Sequence, residues 1–168
     1  MTGDGTWTER CLAVDPGKLT GMCVMQRYKG PETHTVSLLR SAEAGPDEVI
    51  PLFREWYSWY AEPAGGGGPR MRVVMESFKI TPRTGELSAE ASWALETIGA
   101  VKQACRDLGY PPEAIQFFRP DQKKAFPNPR LKRLGLWHTG GKGHALDAIR
   151  HGTLYLSQTG LMPAGSYD

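Results

Sequence analysis

Cysteine is scarce in this 168-residue sequence, and its three copies, Cys11, Cys23 and Cys105, form no C-x-x-C pair. Any pairing scheme leaves one thiol over, so the cysteines are expected to be reduced and structural rather than a disulfide framework. Long apolar runs are missing as well. None approaches the roughly 20 residues of a membrane span, and Met1 to Arg10 is polar, without the apolar core of a signal peptide. Nothing therefore directs the chain out of the cytoplasm, which is its expected location. The four consecutive glycines within Pro63 to Pro69 lack the Lys-Ser/Thr that ends a phosphate-binding loop. They read as a flexible connection.

A strong overall charge is also absent, the net value being only +2, but the distribution is uneven. Arg119 to Lys142 holds seven basic residues (119, 123, 124, 130, 132, 133, 142) against one acid, Asp121, while residues 1 to 118 are net acidic. A basic stretch beside an acidic pocket suits a nuclease, with cations to hold phosphates and carboxylates to hold metals; a solvated basic loop is the plainer alternative. With 40% hydrophobic and 23% charged residues, the composition is that of one soluble globular domain, long enough to bury a core of its own.

Along the chain, Cys11 to Arg27 reads as strand, Asp-Pro-Gly turn, strand, with Leu12 to Val14 and Met22 to Met25 as apolar arms. Thr35 to Leu39 is a candidate third strand. From Asp47, Val49, Leu52, Phe53, Trp56, Trp59 and Tyr60 recur at helical spacing, with Pro51 tolerable in the first turns. The aromatic group Trp56, Tyr57, Trp59 and Tyr60 reads mainly as core. Met71 to Met75 is a short buried strand ending in Glu76, Ser88 caps a helix to about Leu108, Ile115 to Phe118 is a further strand, and Lys142 to Ser157 is a final helix. Gly160 to Asp168 reads as a loose tail. Strands first, then strands alternating with helices, imply an α/β fold with a mixed sheet.

Acids stand at three places where packing alone does not put them: Asp15 at the end of the first strand, Glu76 at the end of a central strand, and Asp147 with His144 at the start of the last helix. Carboxylates at the ends of adjacent strands lie close together, and a helix presents residues three apart on one face. Such a cluster repels itself unless cations fill it, and oxygen-rich sites suit Mg²⁺ or Mn²⁺. Each residue has a plainer reading too: Asp15 as a turn residue, Glu76 as the point where a strand meets solvent, His144 as an ordinary hydrogen-bonder, and Asp147 as a partner of the helix dipole.

In this order the motifs resemble a known family. Leu12-Ala-Val-Asp-Pro-Gly-Lys-Leu-Thr-Gly21 is similar to the opening strands of RuvC-type Holliday junction resolvases, Val73-Val-Met-Glu76 to their second motif, and Gly143-His-Ala-Leu-Asp147 to the third. Gln122-Lys-Lys124 resembles the family's lysine-bearing segment, Lys124 being the better match. The resemblance spans residues 11 to 157, is closest to compact phage-encoded members, and is weakest over the central helix. It implies an RNase H-like mixed β-sheet flanked by α-helices, with a nuclease domain at 11–158 between tails at 1–10 and 159–168.

It further implies a homodimeric endonuclease cutting branched DNA with two Mg²⁺ or Mn²⁺ ions per site, in a bacterial or phage-infected cytoplasm. Asp15 would bridge both ions, Glu76 and Asp147 would complete their shells, and His144 would replace a fourth carboxylate. His151, about 10 Å beyond His144 on the helix, is given a packing or phosphate role. Lys123, Lys124, Arg130, Lys132 and Arg133 are placed for phosphates, and Phe78 either stacks on an unpaired base or packs in the core. The expected dimer face is the helix from Ser88 to Leu108, through Trp93, Leu95, Ile98 and Val101. Competing readings are a flap- or fork-specific nuclease and a branched-DNA binder that does not cut; a two-domain actin-like ATPase is excluded by chain length.

Overall fold

The computed structural model describes residues 7–29, 34–61, 71–78 and 89–158. The glycine-rich connection at Pro63 to Pro69, the Ser88 cap and the tail from Gly160 lie outside the described residues. Strands β1 (Trp7–Asp15) and β2 (Thr20–Lys29) pair antiparallel around the Asp-Pro-Gly turn. Thr20 closes that turn, its hydroxyl donating to the Gly17 carbonyl at 3.0 Å. β1 starts four residues before the expected Cys11, so it takes in the end of the expected N-terminal tail. β3 (His34–Ala44) is likewise longer than expected and pairs antiparallel with β2.

Helix α1 (Pro46–Tyr60) follows, its start fixed by Pro46 and by Glu48, whose carboxylate accepts the Gly45 N–H at 2.9 Å. β4 (Met71–Glu76) then runs parallel to β1, α2 (Ala89–Asp107) crosses the sheet, and β5 (Gln116–Phe118) joins β4 in parallel. The sheet order is β3-β2-β1-β4-β5. After β5 comes a 3-10 segment, Pro120–Ala125, then a short helix α3 (Asn128–Arg133), and finally α4 (His144–Leu156). The basic segment is thus helical over its first part, at Pro120–Ala125 and Asn128–Arg133, and irregular beyond.

Side chains alternate across the sheet, so each strand feeds two cores. Leu12, Val14, Met22, Val24, Val73 and Met75 pack with Val49, Phe53 and Trp56 of α1 and Val101 of α2. Cys11, Ala13, Cys23, Met25, Val74 and Phe118 pack with Leu131 of α3 and Ala148, Ile149 and Leu156 of α4. By the same alternation Asp15 and Glu76 belong to the α4 face. The three cysteines are buried and free, as expected.

Of the α1 aromatics, Trp56 is core and Tyr57 and Tyr60 pack against it, but Trp59 is 56% exposed, on a helix face turned from the core, with Arg40 over its ring. Val101 is fully buried in the chain's own core and is not available to a dimer face; Trp93, Leu95 and Ile98 remain partly exposed. No helix among the described residues is long and apolar enough to cross a membrane.

Candidate active site

A row of three residues sets the position of α4. Asp15 on β1 pairs with Gly21 on β2, which pairs with Glu43 on β3. Gly21 leaves the gap into which the helix start fits, since a Cβ there would lie 1.9 Å from the His144 carbonyl oxygen. The residues on either side hold what enters it. The Glu43 carboxylate accepts backbone N–H bonds from Lys142 (2.7 Å), His144 (2.7 Å) and Ala145 (3.3 Å). Burial alone would raise the Glu43 carboxyl, but these donors hold it below its ordinary value. On the opposite side, His144 Nδ1 meets Asp15 Oδ2 at 3.1 Å.

Asp15 and Glu76 end adjacent parallel strands, one step past the Val14–Met75 pair, and their carboxylates converge. Burial first, and then repulsion from Glu76, push the Asp15 carboxyl up from 3.8 to about 6. Glu76 goes the other way: burial would raise it, but a hydrogen bond with His151 and the nearby Lys123 hold it below its ordinary value. Lys123 Nζ lies 3.2 Å from Glu76 and 2.6 Å from Asp147. Burial opposes its charge, yet the bond to Asp147 and the charges of Asp15 and Glu76 raise its pKa. A self-repelling carboxylate group that already attracts one cation is a fit environment for another.

All four residues expected at the site reach this corner, but their partners differ from expectation. Asp15, Glu76 and His151 each offer a ligand atom, all within 4.8 Å of one another, and could hold a metal ion. His144 and Asp147 stand outside that group. Asp147 is occupied by Lys123 on one oxygen and by Arg150 on the other. His151 is fully buried, with Nε2 2.7 Å from Glu76 Oε2. The sequence reading set it aside because of its distance from His144, but residues 144, 147 and 151 share one helix face, and Glu76 meets that face a turn further along.

The basic residues divide in the same way. Lys123, and not Lys124, enters the carboxylate cluster; Lys124 is exposed beside it. Arg150, missed in the sequence, bonds Asp147, Asn128 and the Phe126 carbonyl, tying α4 to the start of α3. Its i,i+3 spacing from Asp147 was the available signal. Lys123, Lys124, Asn128, Asp147 and Arg150 line an open cleft of about 540 Å³ that touches the carboxylate cluster at Asp147 and Lys123. Arg130 packs over Phe126 and Lys132 over Trp137, while Lys132 and Arg133 are exposed on α3. Phe78 is 38% exposed just past Glu76, which removes the core-packing reading.

A mixed five-stranded sheet of this order, flanked by helices on both faces, defines the RNase H-like class of fold. Within that class the fold is RuvC-like. The chain is similar to Thermus thermophilus RuvC at 20% identity and a TM-score of 0.58, over 90% of this chain and 97% of that one. It is similar to T. thermophilus RuvC in complex with a Holliday junction substrate at 20% identity and a TM-score of 0.59, over 90% and 96%. No protein-family model and no curated protein sequence matches it.

Proposed function

We propose that the chain is a metal-dependent, structure-selective DNA endonuclease that resolves Holliday junctions. The observation that carries this reading is the meeting of Asp15, Glu76 and Asp147 at one end of a RuvC-like sheet, at the mouth of a basic cleft. Asp15, Glu76, Asp147 and His144 would hold two divalent cations, Mg²⁺ or Mn²⁺. Bound there, such ions supply an activated water and neutralise charge on the phosphate and its leaving oxygen.

The chain's own residues do the rest. Lys123 holds Glu76 and Asp147 in place and offers its ammonium to an entering phosphate oxygen. Lys124 and Arg150 carry the backbone along the cleft, with Arg130, Lys132 and Arg133 of α3 extending the track. Such contacts give affinity without reading sequence. Phe78, exposed beside Glu76, is placed to stack on a base unpaired at a branch point. The neighbour solved with a Holliday junction substrate supports branched DNA as the ligand class.

Paired cuts across a two-fold junction require two sites, so the working form is a homodimer through α2, where Trp93, Leu95 and Ile98 keep partial exposure. The domain that carries the chemistry extends to residue 158, and it acts in the cytoplasm. A panel of synthetic four-way junction, flap and linear duplex, each with Mg²⁺ or Mn²⁺, tests the reading. Symmetric cleavage of the junction is expected. Preferential flap cleavage would reassign the substrate, and tight junction binding with no cleavage under either metal would make the chain a binder.

A further inference from the structure

The imidazole of His151 is placed differently from that of His144. The His144 side chain is 40% exposed, whereas that of His151 is fully buried. Its ring stacks on Phe118, with centroids 6.1 Å apart and planes 10° from parallel, so its orientation is fixed by packing. Nε2 is aimed at Glu76 Oε2, 2.7 Å away, and Nδ1 is buried with no hydrogen-bond partner among the described residues. Nε2 thus faces the carboxylate corner, while Nδ1 has no partner that would fix which ring nitrogen carries the proton.

We propose that His151 is the third protein ligand of the cation held by Asp15 and Glu76, and that its nitrogen biases this site toward Mn²⁺ over Mg²⁺. The proposal rests on the nuclease reading only in taking Asp15 and Glu76 as metal carboxylates. A neutral imidazole has one N–H to place. With the proton on Nε2 it donates to Glu76, which suits the metal-free chain. With the proton on Nδ1, the Nε2 lone pair faces the Asp15–Glu76 corner, an arrangement that a cation bound between them makes favourable. Two carboxylate oxygens and an imidazole nitrogen form a mixed donor set. Hard Mg²⁺ favours oxygen and water, while Mn²⁺ accepts nitrogen more readily.

The test uses the full chain loaded with Mn²⁺ alone, without DNA, and pulsed EPR to detect nitrogen coupled to the metal. Coupling is expected in the parent, retained in His144→Ala and lost when His151→Gln is added to His144→Ala, with a thermal melt confirming that each variant folds. Calorimetry should show Mn²⁺ binding weakened at least about tenfold by His151→Gln, with Mg²⁺ binding changed much less. If His151→Gln does not fold, His144→Ala prepared with ¹⁵N-labelled histidine decides: the coupling must take the ¹⁵N pattern. Coupling that disappears in His144→Ala, or that survives in the folded His144→Ala/His151→Gln double variant, overturns the proposal. Mn²⁺ bound by the parent without any nitrogen coupling also overturns it and leaves the nuclease reading standing. No Mn²⁺ binding by the parent sinks both.

Discussion

Gly21 and His144 touch backbone to backbone: a Cβ on Gly21 would meet the His144 carbonyl oxygen at 1.9 Å. Gly21→Ala must therefore push the start of α4 away from the sheet, since backbone cannot rotate aside as a side chain can. Overpacking of this kind costs about 1–3 kcal/mol. Urea unfolding should report that loss, and divalent-metal affinity should fall with it, because His144 and Asp147 move together. Parent-like stability and metal binding would show that the contact positions nothing.

Glu43 is not itself a candidate metal ligand, yet its carboxylate accepts three backbone N–H groups at the start of α4, that of His144 among them. Glu43→Gln removes the charge and keeps one acceptor oxygen. A loss of about 1 kcal/mol in stability is expected, as for a weakened helix cap. Cleavage should drop by about tenfold or more, in the range seen when residues behind metal ligands are altered. Single-turnover kinetics at saturating junction DNA would separate this from weaker binding.

The two adjacent lysines should behave differently. Lys123→Ala strips the cation from Glu76 and Asp147, so it should slow cleavage at saturating DNA. Lys124→Ala removes an exposed cleft charge and should instead weaken binding, lowering the salt dependence of affinity by about one unit of slope. Salt-titrated binding curves beside single-turnover rates distinguish the outcomes. Identical effects from both would contradict the assignment.

Much of this architecture is legible in the sequence because it is locally encoded. The alternating arms around Asp15-Pro-Gly, the apolar run ending at Glu76 and the periodic final helix are each written within about ten residues. What was not legible depends on pairs far apart in the chain. His151 meets Glu76 across 75 positions and Glu43 meets His144 across 101, and no periodicity in either segment encodes those contacts. The helical character of the basic segment was hidden by its prolines: Pro120 and Pro129 sit in the opening turns of their helices, where a missing N–H costs nothing.

His144→Asp restores a carboxylate at the same helical position, facing Asp15. It should retain cleavage with Mg²⁺, whereas His144→Ala should lose most of it. Cleavage by the Ala variant at the parental rate, in saturating Mg²⁺, would make His144 a bystander.

Asp15 also makes the metal-free protein sensitive to pH. Its carboxyl is raised from 3.8 to about 6, chiefly by burial and then by Glu76. Between those values the folded chain keeps a proton that the unfolded chain has lost, so stability falls as pH rises. The full shift is worth roughly 3 kcal/mol. Glu76, held below its ordinary value, acts in the opposite sense, losing stability as pH falls. The difference between parent and Asp15→Asn therefore isolates Asp15: metal-free melts should show the variant gaining on the parent from pH 4 to pH 6. Parallel profiles would mean that Asp15 ionises normally.

Junction cleavage and junction binding by Asp15→Asn, measured side by side with Mg²⁺ and with Mn²⁺, reach furthest. The substitution removes one buried charge from the corner where β1 and β4 meet and leaves the lysines and arginines of the cleft untouched. The variant should bind the four-way junction as the parent does and cut it with neither metal. Cleavage at the parental rate would contradict the assignment of Asp15, and with it the metal-dependent nuclease built around it.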